Sequence, residues 1–425
     1  MNFESFASAH STILWWAFGI AVVMGAVANK TNFCTMGAVS DLVNMGDKGR
    51  IRAWILAMAV AILGVTILEY MHIFSADAAR PPYRGSNLAW LEYIIGGVMF
   101  GIGMTLGSGC GNKTLIRIGG GNIKSIFVFV VISILAYFMI NPFPGTDDTI
   151  YSLLFYPWTN PTSVSLSGMQ DIGALISAEN KGTMRLVAGL VVSALLLILV
   201  FKSSEFRSSF DNKLGGLVIG LCVIGAWYVS GGMATITAEG ETYSWVNYAS
   251  TDVWSMMPEA EKGAAPSGVA AQSYTFINPI GEMTGYLVGN NVDGMRGNTV
   301  TFGMMAVFGV IIGSFLWSIL SKSFRIEWFV NGRDFITHII GGVLMGVGGV
   351  LALGCTIGQA VTGVSTLAVG SFLAFVSIVF GSALTMKIQY YKLVYEDEAT
   401  FMKAFITSLV DMKMLPGGMR QLDAV

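Results

Sequence analysis

The sequence predicts an all-α polytopic membrane protein. About nine transmembrane helices, with re-entrant half-helices or loops between them, form two inverted four-helix repeats joined by one extra helix. Three observations predict this. Of 425 residues, 54% are hydrophobic and only 12% are charged, whereas a soluble domain carries about 25% charged residues. Nine apolar runs are each long enough to cross a bilayer. A stretch ending in Gly-Cys also recurs in the second half of the chain.

The expected spans lie near 12–28, 53–70, 89–106, 122–140, 183–201, 213–233, 299–320, 336–354 and 364–386. Between some of them lie semi-apolar pieces too short for a domain, "NKTNFCTMGAVSDLV" and "TFINPIGEMTGYLVG". These read as re-entrant loops, which persist at membrane depth only inside protein or along a watery cavity. The 52 glycines fit close helix packing, with small-xxx-small pairs at 97/101, 103/107 and 342/346. The N-terminal stretch lacks a basic region before its first apolar run and reads as a true span, not a cleavable signal.

Eighteen of the 24 lysines and arginines fall on one side of this topology, among them Lys30, Arg50, Lys113, Arg117 and Lys387. Lys262 and Arg296 are among those on the other side. The positive-inside rule then makes the N-terminus external and the C-terminus cytoplasmic. Loops 141–182 and 234–298 are expected outside, packed over the outer face.

The repeat is "IIGGVMFGIGMTLGSGC" (94–110) against "IIGGVLMGVGGVLALGC" (339–355), with ten of 17 positions identical and no gap. Each half reads span, re-entrant loop, span, span, Gly-Cys turn, span. Four crossings return the chain to its starting side, and the extra span carries it over, so the second half is expected inverted. Inverted repeats with broken helices are a transporter architecture. The organisation is therefore a first repeat (12–140), an external loop and linking helix (141–212), a second repeat (213–386, including loop 234–298) and a cytoplasmic tail (387–425).

The four cysteines, Cys34, Cys110, Cys222 and Cys355, form no CxxC pair, which argues against a disulfide framework or a zinc site. Three scattered histidines leave little for haem or metal. No phosphate loop, nucleophile triad or HExxH motif is present. The chain is expected to be no enzyme, to hold no cofactor or metal, and to bind no nucleic acid.

Three constellations carry the candidate chemistry. In "GCGNKT", Cys110 ends a helix, and a new helix is expected to start at Asn112 or Thr114, both capping residue types. Free N–H groups there, with Lys113 and Arg117 nearby, favour an anion. The bland alternative is a small core thiol beside ordinary cytoplasmic anchors. In "LGCTIGQAVTGVSTLA", Cys355 takes the matching turn, with Thr356, Gln359, Thr362 and Ser365 as neutral donors and no cation. The alternative is polar packing between helices. In "NKTNFCTMGAVSDL", Cys34 lies in the first re-entrant loop near Lys30 and Asp41, and the alternative is a purely structural loop. Cys222 matches no motif and reads as packing. Glu69 and Glu92 stand at span ends, where snorkelling accounts for them.

Paired Gly-Cys turns, the run "LGCTIGQAVTG" and an early Phe-Cys loop resemble the YeeE/YedE sulphur-transport family over essentially all of residues 12–386. The resemblance implies a bacterial inner-membrane protein of hourglass shape that takes up a sulphur-containing anion, first among them thiosulfate. It implies that Cys110 and Cys355 lie near the central constriction, with Cys34 a further station toward the cytoplasm; the motifs themselves offer Asn112, Lys113, Thr114, Thr356 and Gln359 in support. This chain departs from many relatives at Asn112-Lys113, which sets a cation beside the first turn. Its tail is too short for a fused sulphur carrier, so a separate small cytoplasmic carrier protein is the implied partner, beside the lipid bilayer and the anion. Relay by neutral thiols and a transient persulfide both remain open at this point. So do a selenium or other sulphur substrate and, in a different class, a membrane thiol oxidoreductase.

Overall fold

The computed structural model describes residues 1–238, 240–248, 269–289 and 300–423. Among the described residues, nine helices are long and apolar enough to cross a membrane. The elements that build the core are α1 (Phe6–Lys30), α2 (Thr35–Ser40), α3 (Gly49–Tyr70), α4 (Trp90–Leu106), α5 (Gly111–Gly119) and α6 (Ile123–Ile140). They continue with α7 (Lys181–Phe201), α8 (Phe210–Gly231), α9 (Ile277–Leu287), α10 (Phe302–Leu320), α11 (Gly332–Leu351), α12 (Val369–Val394) and α13 (Phe401–Asp411). Two stretches, Asp41–Met45 and Ile357–Gly363, are π-helical.

Every expected span is present, with shifted ends. The first begins at Phe6, earlier than expected, because Ser5 caps it by accepting the Ser8 N–H at 3.3 Å. The last runs on to Val394, so the expected boundary at 387 falls inside a helix. Docking of α13 explains the extension. Asp411 accepts hydrogen bonds from Lys387 at 3.2 Å and Tyr391 at 2.7 Å, which holds the polar end of α12 helical.

The two short pieces expected to re-enter are α2 and α9. Contacts between the halves are reciprocal. α1 packs on α10 as α8 packs on α3; α4 packs on α12 as α11 packs on α6; α9 lies on α6 as α2 lies on α12. α4 and α11 also cross each other. Small residues make this closeness possible. A Cβ at Gly313 would stand 1.9 Å from the Val22 carbonyl oxygen, and one at Gly25 would stand 2.2 Å from that of Val310. The linking helix α7 packs on α3 and turns Leu195, Ile198 and Leu199 outward, as a lipid-facing helix does.

The loops close over the helix ends. Trp90 Nε1 donates to the Thr162 carbonyl at 2.7 Å. Gln170 accepts the Val369 N–H through its backbone carbonyl at 2.9 Å, and Ile172 donates its N–H to Leu367 at 3.1 Å. Asn2–Phe3, Thr235–Ala238 and Glu241–Ser244 form a small three-stranded sheet. Much of the loop expected over 234–298, with Lys262 and Arg296, lies outside the described residues.

Candidate functional site

Two turns of the same shape form the centre. α4 ends with the Gly107 N–H donating to Gly103 and the Gly109 N–H to Met104; α11 ends with Ala352 donating to Gly348 and Gly354 to Gly349. Ser108 and Leu353 both sit in the left-handed region, at φ 59° and 55°, followed by Gly109 and Gly354 at φ 156° and 155°. A non-glycine residue held there costs about 1–2 kcal/mol, and such strain collects at functional positions. The turns throw Cys110 and Cys355 into the centre of the fold, with 1% and 0% exposure.

Each of the three thiols heads a short helical piece, and each sulfur accepts a hydrogen bond from the protein. Cys34 caps α2 and accepts the Gly37 N–H at 3.5 Å. Cys355 accepts the Gly358 N–H at 3.5 Å. Cys110 accepts the Thr356 hydroxyl at 3.2 Å. With the sulfur lone pair engaged this way, the S–H proton is left available as a donor. The half-helices meet closely: a Cβ on Gly111 would stand 3.9 Å from Cys355 Cβ.

A cavity lies to one side of this centre and a closed crevice to the other. A cavity of about 210 Å³ is lined by His10, Arg80, Thr275, Asn278 and Glu282, and it reaches Leu353 beside Cys355. Thr301 donates to Glu282 there. Among the described residues Asn278 Oδ1 is buried with no hydrogen-bond partner, which marks polar capacity that a passing ligand can use. On the opposite side a narrow crevice, lined by Thr31, Arg50, Asp211 and Asn212, ends at Cys34.

Several expectations need correction. The helix after the first turn starts at Gly111 with Cys110 as its cap, not at Asn112 or Thr114. The left-handed Ser108 and Gly109 reverse the chain so sharply that Cys110 is already extended and Gly111 helical. Thr114 instead donates to the Cys110 carbonyl at 3.1 Å, and Asn112 Oδ1 is buried with no partner. The polar residues after Cys355 do not surround its sulfur. Gln359 Nε2 donates to the Ala352 carbonyl, Thr362 to Tyr274 at 2.6 Å and Ser365 to Thr362 at 2.6 Å. Only Ser365 serves a carbonyl of the π-helical segment; Gln359 and Thr362 satisfy carbonyls of the preceding turn and of the Tyr274 stretch. Beside Cys34, Lys30 pairs with Asp211 at 3.0 Å. Asp41 is held by Arg50 through two bonds, at 2.5 and 2.8 Å. Cys222 donates to the Ile20 carbonyl at 3.8 Å in a helix interface.

Glu69 does not snorkel. Arg84, 1% exposed, grips it with bonds of 2.6 and 2.7 Å and reaches Asp77 at 3.1 Å. Its Nε donates to the Thr366 carbonyl at 2.9 Å, just past the π-helical segment. Arg185 joins Asp77 at 2.9 Å to Asp171 at 2.7 Å. Glu92 likewise turns inward, accepting from Tyr151 and Thr159. Arg84, Arg50 and Thr275 are site residues that sequence reasoning missed. One signal was present: Cys-Thr-x-Gly occurs at both 34–37 and 355–358, and in both the glycine N–H is the group that meets the sulfur.

Three buried thiols on short helical pieces inside a multi-pass membrane fold fit a transporter. A family model described as sulphur transport matches residues 30–384, and the chain belongs to that family. The thiosulfate transporter TsuA of Spirochaeta thermophila is 23% identical over 385 residues, covering 87% of this chain and 97% of that protein. The thiosulfate transporter TsuA of Escherichia coli is 21% identical over 369 residues, covering 84% of this chain and 90% of its own.

Proposed function

We propose that the protein takes up a sulphur-containing anion, thiosulfate first among them, across the bacterial inner membrane, from an external N-terminal side to a cytoplasmic C-terminal side. The observation that carries this reading is the hydrogen bonding of the three thiols. Because Cys355, Cys110 and Cys34 each accept a bond from Gly358, Thr356 and Gly37 respectively, each S–H is free to donate to a passing anion. A thiol is a weak donor, and conduction needs sites that attract but release. The anion would enter the cavity at Thr275 and Asn278, pass Cys355 and Cys110, and leave by Cys34. The two halves, 12–140 and 213–386, would be inverted about the Thr356–Cys110 contact, with 141–212 linking them and the segment from 387 on the cytoplasmic side. A separate small cytoplasmic sulphur-carrier protein is the proposed recipient.

The test is uptake of ³⁵S-thiosulfate into proteoliposomes. Cys110→Ser and Cys355→Ser are expected to lose uptake while remaining folded, and Cys222→Ala to keep it. Wild-type rates in both serine variants would end the relay reading. Competition by selenite, sulfite or sulfate, measured with the same vesicles, separates thiosulfate from the other substrates of this class.

A further inference from the structure

Lys113 is half-buried on α5, three residues after Cys110. Its stem folds back over the turn: a Cβ on Gly109 would stand 2.9 Å from Lys113 Cγ. Its titratable neighbours are the Cys34 and Cys110 thiols and the Arg50 and Arg117 guanidiniums. No carboxylate is among them, since Asp41 is taken by Arg50 through two bonds, and Lys30 and Lys124, by contrast, are each paired with an aspartate. Lys113 makes no ion pair among the described residues. Even a half-buried cation without a counter-charge carries part of the cost of leaving water. It persists where a ligand supplies the missing charge.

We infer that Lys113 is a specificity-determining residue, and that its ammonium forms, with the Cys110 and Cys34 thiols, an inner station for a doubly charged oxyanion bearing a terminal sulfur. The thiols offer neutral donors that any soft anion can use. The lysine adds a term that grows with the ligand's charge, so it sets preference for a dianion over a monoanion of similar shape. This rests on the uptake reading above.

The test compares thiosulfate with methanethiosulfonate, a singly charged analogue that keeps the terminal sulfur, in proteoliposomes of wild type, Lys113→Met, Lys113→Gln and Lys113→Arg. Size-exclusion profiles report folding for each. The expected result is that Lys113→Met and Lys113→Gln raise the thiosulfate KM about tenfold or more, the factor for about 1.4 kcal/mol. Inhibition by methanethiosulfonate should weaken only about threefold, the square root of that factor, because its charge is half as large, and Lys113→Arg should keep wild-type preference. An unchanged KM and an unchanged preference in both neutral variants would overturn the inference, as would equal losses for the two anions that arginine fails to restore. No thiosulfate uptake by the wild type would instead overturn the uptake reading.

Discussion

The Thr356 hydroxyl donates to the Cys110 sulfur at 3.2 Å, across 246 residues of chain. One half of the protein therefore sets the hydrogen-bonding state of the thiol in the other. Thr356 is 0% exposed and Cys110 is 1% exposed, so no solvent molecule readily replaces the hydroxyl.

Replacement of Thr356 by valine is nearly isosteric but removes that donor. A neutral hydrogen bond is worth about 0.5–1.5 kcal/mol. Thr356→Val is thus expected to cut uptake about three- to tenfold with little change in thermal stability. Thr362→Val, which frees the Tyr274 carbonyl instead of a thiol, should lower stability and leave the thiosulfate KM near wild type. Equal kinetic effects in the two variants would contradict the role given to Thr356.

Arg84 joins α3, the loop after it and the end of the π-helical segment through Glu69, Asp77 and Thr366. Removing one partner of a buried pair typically costs about 3–5 kcal/mol, because the other charge is left stranded. Arg84→Met should therefore lower the melting temperature sharply, and the double variant Arg84→Met with Glu69→Gln should recover part of the loss. A double-mutant cycle on detergent-purified protein measures it, and strict additivity would show that the pair does not couple.

The same network sets an acid limit. Burial alone would raise the Asp77 carboxyl, but the Arg185 and Arg84 guanidiniums more than offset it and hold it below its ordinary value of 3.8. Asp171 is also opposed by burial and held low by its bond from Arg185 and by the Arg84 charge. A carboxylate depressed in the folded state contributes stability that is complete above the unfolded value and is lost as pH falls through the folded one. Melting temperature, followed by scanning fluorimetry, should be insensitive to these groups near neutrality and should fall below about pH 4. Asp171→Asn should flatten the acid limb.

The spans and the twin turns were legible in the sequence because both are local. Apolar runs report helices, and the repeat aligned Ser108-Gly109-Cys110 with Leu353-Gly354-Cys355 position by position. What stayed hidden depends on how distant pieces meet. Asn112 and Thr114 are good capping residues, yet the left-handed Ser108 and Gly109 brought the cap forward to Cys110. Glu69 resembled a snorkelling end residue because nothing in its own span revealed that Arg84 folds down beside it. Arg50 counted only as a cytoplasmic anchor, although it pairs with Asp41 and lines the crevice that ends at Cys34. The Thr356 contact required both half-helices to be in place.

The hydrogen bonding of the central thiols has an electrical consequence for the proposed path. Cys110 accepts from a hydroxyl and Cys355 from a backbone amide, and the cation proposed beside them, Lys113, stays fixed to the chain. A dianion moving through them would carry its full charge across the membrane. Each elementary charge is worth about 2.3 kcal/mol per 100 mV. Uptake driven by concentration alone should therefore slow when valinomycin and a potassium gradient make the vesicle interior negative, and quicken when the potential is reversed. A rate indifferent to voltage would require a co-transported positive charge, and the search for its binding site would begin at Glu282 in the outer cavity.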